Sequence, residues 1–281
     1  MPIVNQLPSS GLLASAGTLY LMLGLHFWRS RWSEKFAAPT SVRTARVERV
    51  LIGLTLFLHA TGLQGALFDA GDMQFSFALA LCLMAWLAVL IYWLESFQAR
   101  MDGVQPIVLS TAALAVFLPF LFPNTHPVAH IGALGFRLHF LAAMLAYGLF
   151  ALAAAHALFM RLVEKRLHHP TRSRRMKSMP PLLAMEALLF RILTIAFALL
   201  TVALGSGLFY SEHVFGKALT FEHKTVFGII AWIIFAILLL GRRIYGWRGR
   251  RALNWTLAGF TTLLLAYIGS RFVLEVLLQR V

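Results

Sequence analysis

The sequence predicts an all-α fold, a polytopic membrane helix bundle of eight transmembrane helices with both termini on the outer, periplasmic side. Three observations carry this. Hydrophobic residues make up 59% of the 281 and charged residues only 13%, where a soluble domain runs near 45–50% apolar and about 25% charged. Apolar stretches recur eight times, each near the roughly 20 helical residues that cross a hydrocarbon core. The basic residues then collect in alternate connections, the pattern that orients a multi-pass chain.

The eight spans lie near 10–28, 47–68, 73–94, 104–122, 131–161, 183–211, 220–241 and 251–277. One integral-membrane domain over 1–281 accommodates them. The leading MPIVNQLPSS carries no Lys or Arg, and a cleaved signal peptide needs a basic n-region, so the first span is expected to stay. Arg29, Arg31, Lys35, Arg43, Arg46 and Arg49 follow span one, and Arg100 follows span three. Arg161, Lys165, Arg166, Arg172, Arg174, Arg175 and Lys177 follow span five, and Arg242, Arg243, Arg248, Arg250 and Arg251 follow span seven. These are nineteen of the 25 basic residues. The opposite connections carry Asp69, Asp72, Glu212 and Glu222. The basic side is therefore expected to be cytoplasmic. In the linker 167–182, Pro180 and Pro181 suit the entry to span six. In 241–251, a tight basic turn, Trp247 suits the interface.

The net charge of +14 does not imply nucleic acid. The cations sit in short loops, where they orient the chain and meet anionic lipid headgroups. Cys82, the single cysteine, lies mid-span. One cysteine excludes an internal disulfide, a Cys-x-x-Cys relay and thioether attachment of haem, so any haem here is non-covalent and b-type.

Haem enters through the histidines. The stretch 126–156 is a long apolar helix with Arg137 and His139 inside it, and ionisable residues at membrane depth mark functional sites by default. His139 shares its helical face with Ala142, Ala143, Ala146 and Phe150. Small residues there admit a flat cofactor or another helix, and neutral imidazole is a common iron ligand. His59, about nine residues below the outer end of span two, matches His139, about eight below the outer end of span five. Both lie roughly 12–14 Å below the outer boundary. His59 is followed on its face by Gly62, Leu63 and Ala66. Two readings stay open: a pair of axial ligands to one haem, or two core histidines bonded to neighbours. His26, His156, His168 and His169 read as structural or solvated. His126, His130 and His213 lie in outer loops.

Haem propionates need cations or water. Arg137, Lys224 and Arg271 are the candidates, with His223 a weaker outer-face ligand. Arg271 could instead pair with Glu275 one turn on, and Lys224 could snorkel to the interface. Glu186 reads as interfacial, and Arg191 as snorkelling or pairing with a neighbouring helix. There is no Ser/His/Asp set, P-loop, zincin motif or paired intramembrane carboxylate. A hydrolase, an ATPase and a carboxylate-based pump are thus disfavoured, and no catalytic constellation is found.

Several stretches resemble a known family. They are LHATGLQGALF (58–68), RLHFLAAMLAYGLFALAA (137–154), MPPLLAMEALLFRIL (179–193), LTVALGSGLFY (200–210), HKTVFGIIAWIIFAILLLGR (223–242) and GWRGRRALNWTLAGFTTLLLAYIGSRF (246–272). Together they resemble the integral-membrane cytochrome c assembly proteins (the CcsA/CcmC superfamily), in particular the YpjD/HemX-like branch of bacterial inner membrane proteins. The resemblance implies an eight-helix bundle, haem held by intramembrane histidines at positions matching His59 and His139, and haem handling for cytochrome maturation. It also implies partners among maturation or haem-synthesis proteins. Haem-delivering members carry an outer tryptophan-rich loop flanked by histidines. All seven tryptophans here fall in spans or basic-side loops, so that platform is missing. The reading is a haem-binding inner membrane protein assisting cytochrome c assembly. The alternatives are a HemX-like regulator of haem synthesis, a haem redox subunit working with quinone, and a small-solute transporter.

Overall fold

A computed structural model describes residues 3–32, 41–69, 72–98, 101, 103–127, 134–167, 181–215 and 223–273, without the side chains of 3–8, 69, 72, 166–167, 208–215, 223, 267 and 271. The described residues are almost entirely helical. Helix α1 (Ile3–Phe27) runs into a π-helical turn, Trp28–Trp32. There follow α2 (Val42–Leu67), α3 (Phe77–Glu95), α4 (Gln105–Leu121), α5 (Leu134–Leu167), α6 (Leu182–Phe215), α7 (His223–Tyr245) and α8 (Gly249–Leu264). Helix α8 continues through a second π-helical turn, Leu265–Gly269, into Ser270–Phe272.

Local chemistry sets several helix ends. The Ser41 hydroxyl accepts from the Thr44 amide at α2, and the Ser76 hydroxyl from the Leu79 amide at α3, each satisfying an orphan first-turn donor. Pro106 occupies the first turn of α4, where its missing N–H costs nothing. Gly246 and Gly249 have φ of 64° and 56°, which L-residues rarely adopt. They let α7 fold back on α8 within a few residues, with the Trp247 amide donating to the Gly241 carbonyl.

Helices α1 to α4 form a closed ring: α1 packs on α2 and α4, and α3 packs on the same two. Helices α5 to α8 form a second ring, with α5 and α7 each packed on α6 and α8. The seam is α3 against α5, with α4 also touching α5.

The ends of the helices sort into two faces. At one, the Trp32 indole donates to the Gly103 carbonyl, the Trp93 indole to the Arg49 carbonyl, and Arg191 pairs with Glu95. Arg242 and Arg248 lie 2.6 and 3.6 Å from Glu186, and Arg250 lies 2.8 Å from Glu164. These contacts bring together the C-terminal ends of α1, α3, α5 and α7 and the N-terminal ends of α2, α4, α6 and α8. The helices therefore alternate strictly in direction, and the described basic connections share one end. At the other end three short strands pair antiparallel: β1 (Phe68–Asp69), β2 (Asp72–Phe75) and β3 (His126–Pro127), with Phe68 opposite Met73 and Phe75 opposite His126.

Each of the eight expected segments overlaps one of these helices, although residues 73–75, expected as span, belong to β2. Six helices among the described residues are long and apolar enough to cross a membrane. Helix α4, at 17 residues, is shorter. The 16 residues of α8 carry Arg250 and Arg251 in the first turn. Glu186, near the start of α6, is buried and faces Arg242 across the α6–α7 contact.

Candidate functional site

His59 is wholly buried inside the first ring. Its Nδ1 lies 3.3 Å from the Tyr20 hydroxyl of α1 and its Nε2 lies 3.1 Å from the Cys82 Sγ of α3. The Tyr20 and His59 rings meet edge to face, with centroids 5.6 Å apart. The small residues that follow His59 are used by α1: a Cβ at Gly62 would lie 3.0 Å from Leu13, and one at Gly65 would lie 2.8 Å from Ser9. What approaches α2 closely is a helix, not a flat ligand.

His139 sits half-buried on α5, facing α6 in the second ring. Its Nδ1 is 3.0 Å from the Ser206 Oγ. The Ser206 hydroxyl already donates to helical carbonyls, 2.7 Å from that of Val202 and 3.1 Å from that of Ala203. With that proton on a helical carbonyl, Oγ is left to accept from Nδ1 of His139. In that tautomer the lone pair is on Nε2. A metal-ligating histidine is held in this way, its other ring N–H tied to an acceptor that fixes the tautomer. Gly207 lies against the same ring, where a Cβ would stand 3.2 Å from Cε1 of His139. Below it, Ala142, Ala146 and Phe150 are buried, and Phe150 stacks on Phe235 of α7 with centroids 4.0 Å apart.

These two imidazoles differ as ligands for haem iron. His59 offers no uncommitted nitrogen in this arrangement, and the pair does not face one another across a shared gap. His59 turns to α1 and α3 of one ring and His139 to α6 of the other. As arranged, both ring nitrogens of His59 lie near polar side chains, whereas His139 meets Ser206 through Nδ1.

A family model described as "Cytochrome C assembly protein" matches residues 70–278. The chain belongs to the cytochrome c assembly protein family. The "Inner membrane protein YpjD" of Escherichia coli K12 is 30% identical over 227 residues, 80% of this chain and 85% of that one. The "Cytochrome c biogenesis protein CcsA" of Prochlorococcus marinus NATL1A is 32% identical over 85 residues, 30% of this chain and 27% of that one. CcsA of Gloeobacter violaceus is 29% identical over 91 residues, 32% and 27%. Like the family it joins, this chain is a multi-pass inner membrane protein.

The remaining candidates are dispersed. Arg137 is exposed on α5, two residues before His139, and Lys224 is exposed in the first turn of α7. The side chains of His223 and Arg271 lie outside the described residues, as do that of His213 and the whole of Glu275, His130, His168 and His169. His126 lies on β3 with its Nε2 buried and unpartnered among the described residues. His26 pairs with Glu48 at 3.0 Å. His156, fully buried, meets the Met185 carbonyl at 3.0 Å, a core histidine as read from the sequence. Arg191 pairs with Glu95 of a neighbouring helix, the second of its two expected outcomes. The seven tryptophans sit on α3, α7, α8, the α7–α8 turn and the π-helical end of α1, away from the strand end.

Sequence reasoning missed Tyr20, Cys82 and Ser206. Tyr20 and Cys82 carry the polar atoms within reach of His59. A search for mid-span polar residues would have flagged both, but not their partner. Ser206, in a Gly-Ser-Gly run, reads as a packing residue until α5 is laid against α6.

Proposed function

We propose that this protein handles haem for cytochrome c assembly, and that His139 is its contact with the iron. The observation that carries the reading is the 3.0 Å contact between His139 Nδ1 and Ser206 Oγ, in a chain whose family model spans 70–278. The bond leaves Nε2 as the coordinating atom. Haem, when bound, would supply an iron that an imidazole nitrogen can hold. The chain's own work is to hold the Nδ1 proton on Ser206, to keep the ring's neighbourhood small at Gly207, and to meet propionates with Arg137, Lys224 and Arg271, with His223 a weaker outer ligand. For His59 to supply a second axial nitrogen, it must leave Tyr20 or Cys82.

The same reading includes eight crossings by one domain over 1–281, with both termini outside and b-type, non-covalent haem. Strict alternation of the eight helices, with basic connections at one end, supports the topology. The test is the visible spectrum of the purified protein in mild detergent, oxidised and reduced, before and after adding haemin. A Soret band that His139→Ala loses supports the reading. A wild-type protein that takes up no haemin, or a His139→Ala variant with the wild-type spectrum, removes it.

A further inference from the structure

Where α1 reaches the basic end of the bundle, a cavity of about 700 Å³ is lined by Met22, Leu25, His26, Arg29 and Ser30. The positions follow one helical face, at offsets of three, four, seven and eight. The lining is graded along the helix, with Met22 and Leu25 exposed and apolar toward the middle of the bundle, and His26, Arg29 and Ser30 polar toward its end. The helix changes form at this level, since Arg29 and Ser30 lie in the π-helical turn Trp28–Trp32. Such turns are rare and are frequent at functional sites.

The charges are unbalanced in one direction. Glu48 is the buried carboxylate beside the cavity, and both its oxygens are taken: Oε1 by His26 at 3.0 Å and Oε2 by Arg31 at 2.8 Å. Among the described residues, Arg29 therefore has no carboxylate. The Ser30 Oγ is buried with no hydrogen-bond partner among the described residues, an arrangement that costs stability unless something supplies one. An arginine and a serine at the polar end of an otherwise apolar lining suit an anionic oxygen carried on an acyl chain.

We propose that this cavity is a binding site for an anionic glycerophospholipid, its phosphate held by Arg29 and Ser30 and one acyl chain lying along Leu25 and Met22. The recognised chemistry, a phosphate oxyanion, is shared with free phosphate. The acyl contact separates the two. Trp28, half exposed beside the cavity, reports occupancy.

The full chain is reconstituted in phosphatidylcholine vesicles containing phosphatidylglycerol. Either lipid is brominated on its acyl chains, and the Trp28 signal is isolated by subtracting that of Trp28→Phe. Brominated phosphatidylglycerol is expected to quench Trp28 roughly fivefold more effectively than brominated phosphatidylcholine at equal mole fraction, the scale of one cation near an anionic surface. Arg29→Gln with Ser30→Ala should abolish the preference. Arg29→Lys should keep most of it. Arg46→Gln, an exposed cation of α2 outside the cavity, should leave it unchanged. If the double variant loses helicity, Arg29→Gln alone, at an exposed position, carries the test. Equal quenching by the two lipids in the wild type overturns the proposal, as does a preference that survives loss of Arg29. Loss of the preference on adding inorganic phosphate would show a phosphate site without the lipid, and overturns it too.

Discussion

The Sγ of Cys82 lies 3.1 Å from the Nε2 of His59, and this one contact gives the only cysteine of the chain and a buried imidazole a common role as a polar tie between α2 and α3. Tyr20 completes the tie from α1. All three side chains are buried. The thiol should therefore resist a water-soluble maleimide in the folded protein and react once the chain is unfolded. Replacing His59 by Ala removes the ring and strands two polar groups, and should cost about 3 kcal/mol in detergent unfolding. Tyr20→Phe should cost about 1 kcal/mol. Rapid labelling of native Cys82, or a His59→Ala variant as stable as wild type, would contradict this arrangement.

Ser206 should matter to haem through His139 and not by touching it. Ser206→Ala frees the Nδ1 proton to find another acceptor, and haemin should then bind about tenfold more weakly, the lower end of effects seen when a ligand's supporting partner is lost. Ser206→Thr, which keeps the hydroxyl, should restore most of the affinity. Haemin titrations followed at the Soret band measure both. An identical affinity for Ala and wild type would leave the serine a merely structural residue.

Arg137 precedes His139 by two residues and is exposed, so it reaches a haem only from the mouth of the site. Arg137→Ala should weaken haemin retention a few-fold without abolishing it, as expected for one partly solvated charge-assisted contact. Dissociation measured by transfer to excess apomyoglobin gives the number. Wild-type retention would pass the propionate role to Lys224, Arg271 or water.

The two carboxylates that tie the basic end of the second ring should differ in weight. Glu186 is buried and lies 2.6 Å from Arg242, a charge contact strengthened by burial. Glu186→Ala leaves that arginine without its counter-ion, and should cost about 3 kcal/mol. Glu164 meets Arg250 at 2.8 Å, but the arginine is largely solvated. Glu164→Ala should cost less than about 1 kcal/mol. Thermal unfolding of the two variants side by side decides it, and equal losses would count against the burial argument.

Alternation of the eight helices fixes the sidedness of any reporter. A fusion at the C-terminus and one within 168–180 should report opposite sides of the membrane, the latter cytoplasmic. If both report the same side, α8, the shortest of the three helices between them, does not cross.

Hydrophobic periodicity and basic-residue placement determined the class, the eight helices and their order, because a lipid environment forces every backbone group into a helix and orients loops by charge. Most boundaries fell within a few residues, but α1 begins at Ile3, not near 10, and α5 runs to Leu167, not 161. Those signals act along the chain, one segment at a time. Which helices touch is a different matter, since packing in lipid depends on surface shape and small-residue fit. The sequence therefore placed His59 and His139 at matching depth, but could not tell that they belong to different rings. Depth is one coordinate, and the other two come from α1 and α3 closing on His59 and α6 on His139. The same limit hid Ser206, whose hydroxyl acquires a role only when α6 brings it within 3.0 Å of an imidazole sixty-seven residues earlier.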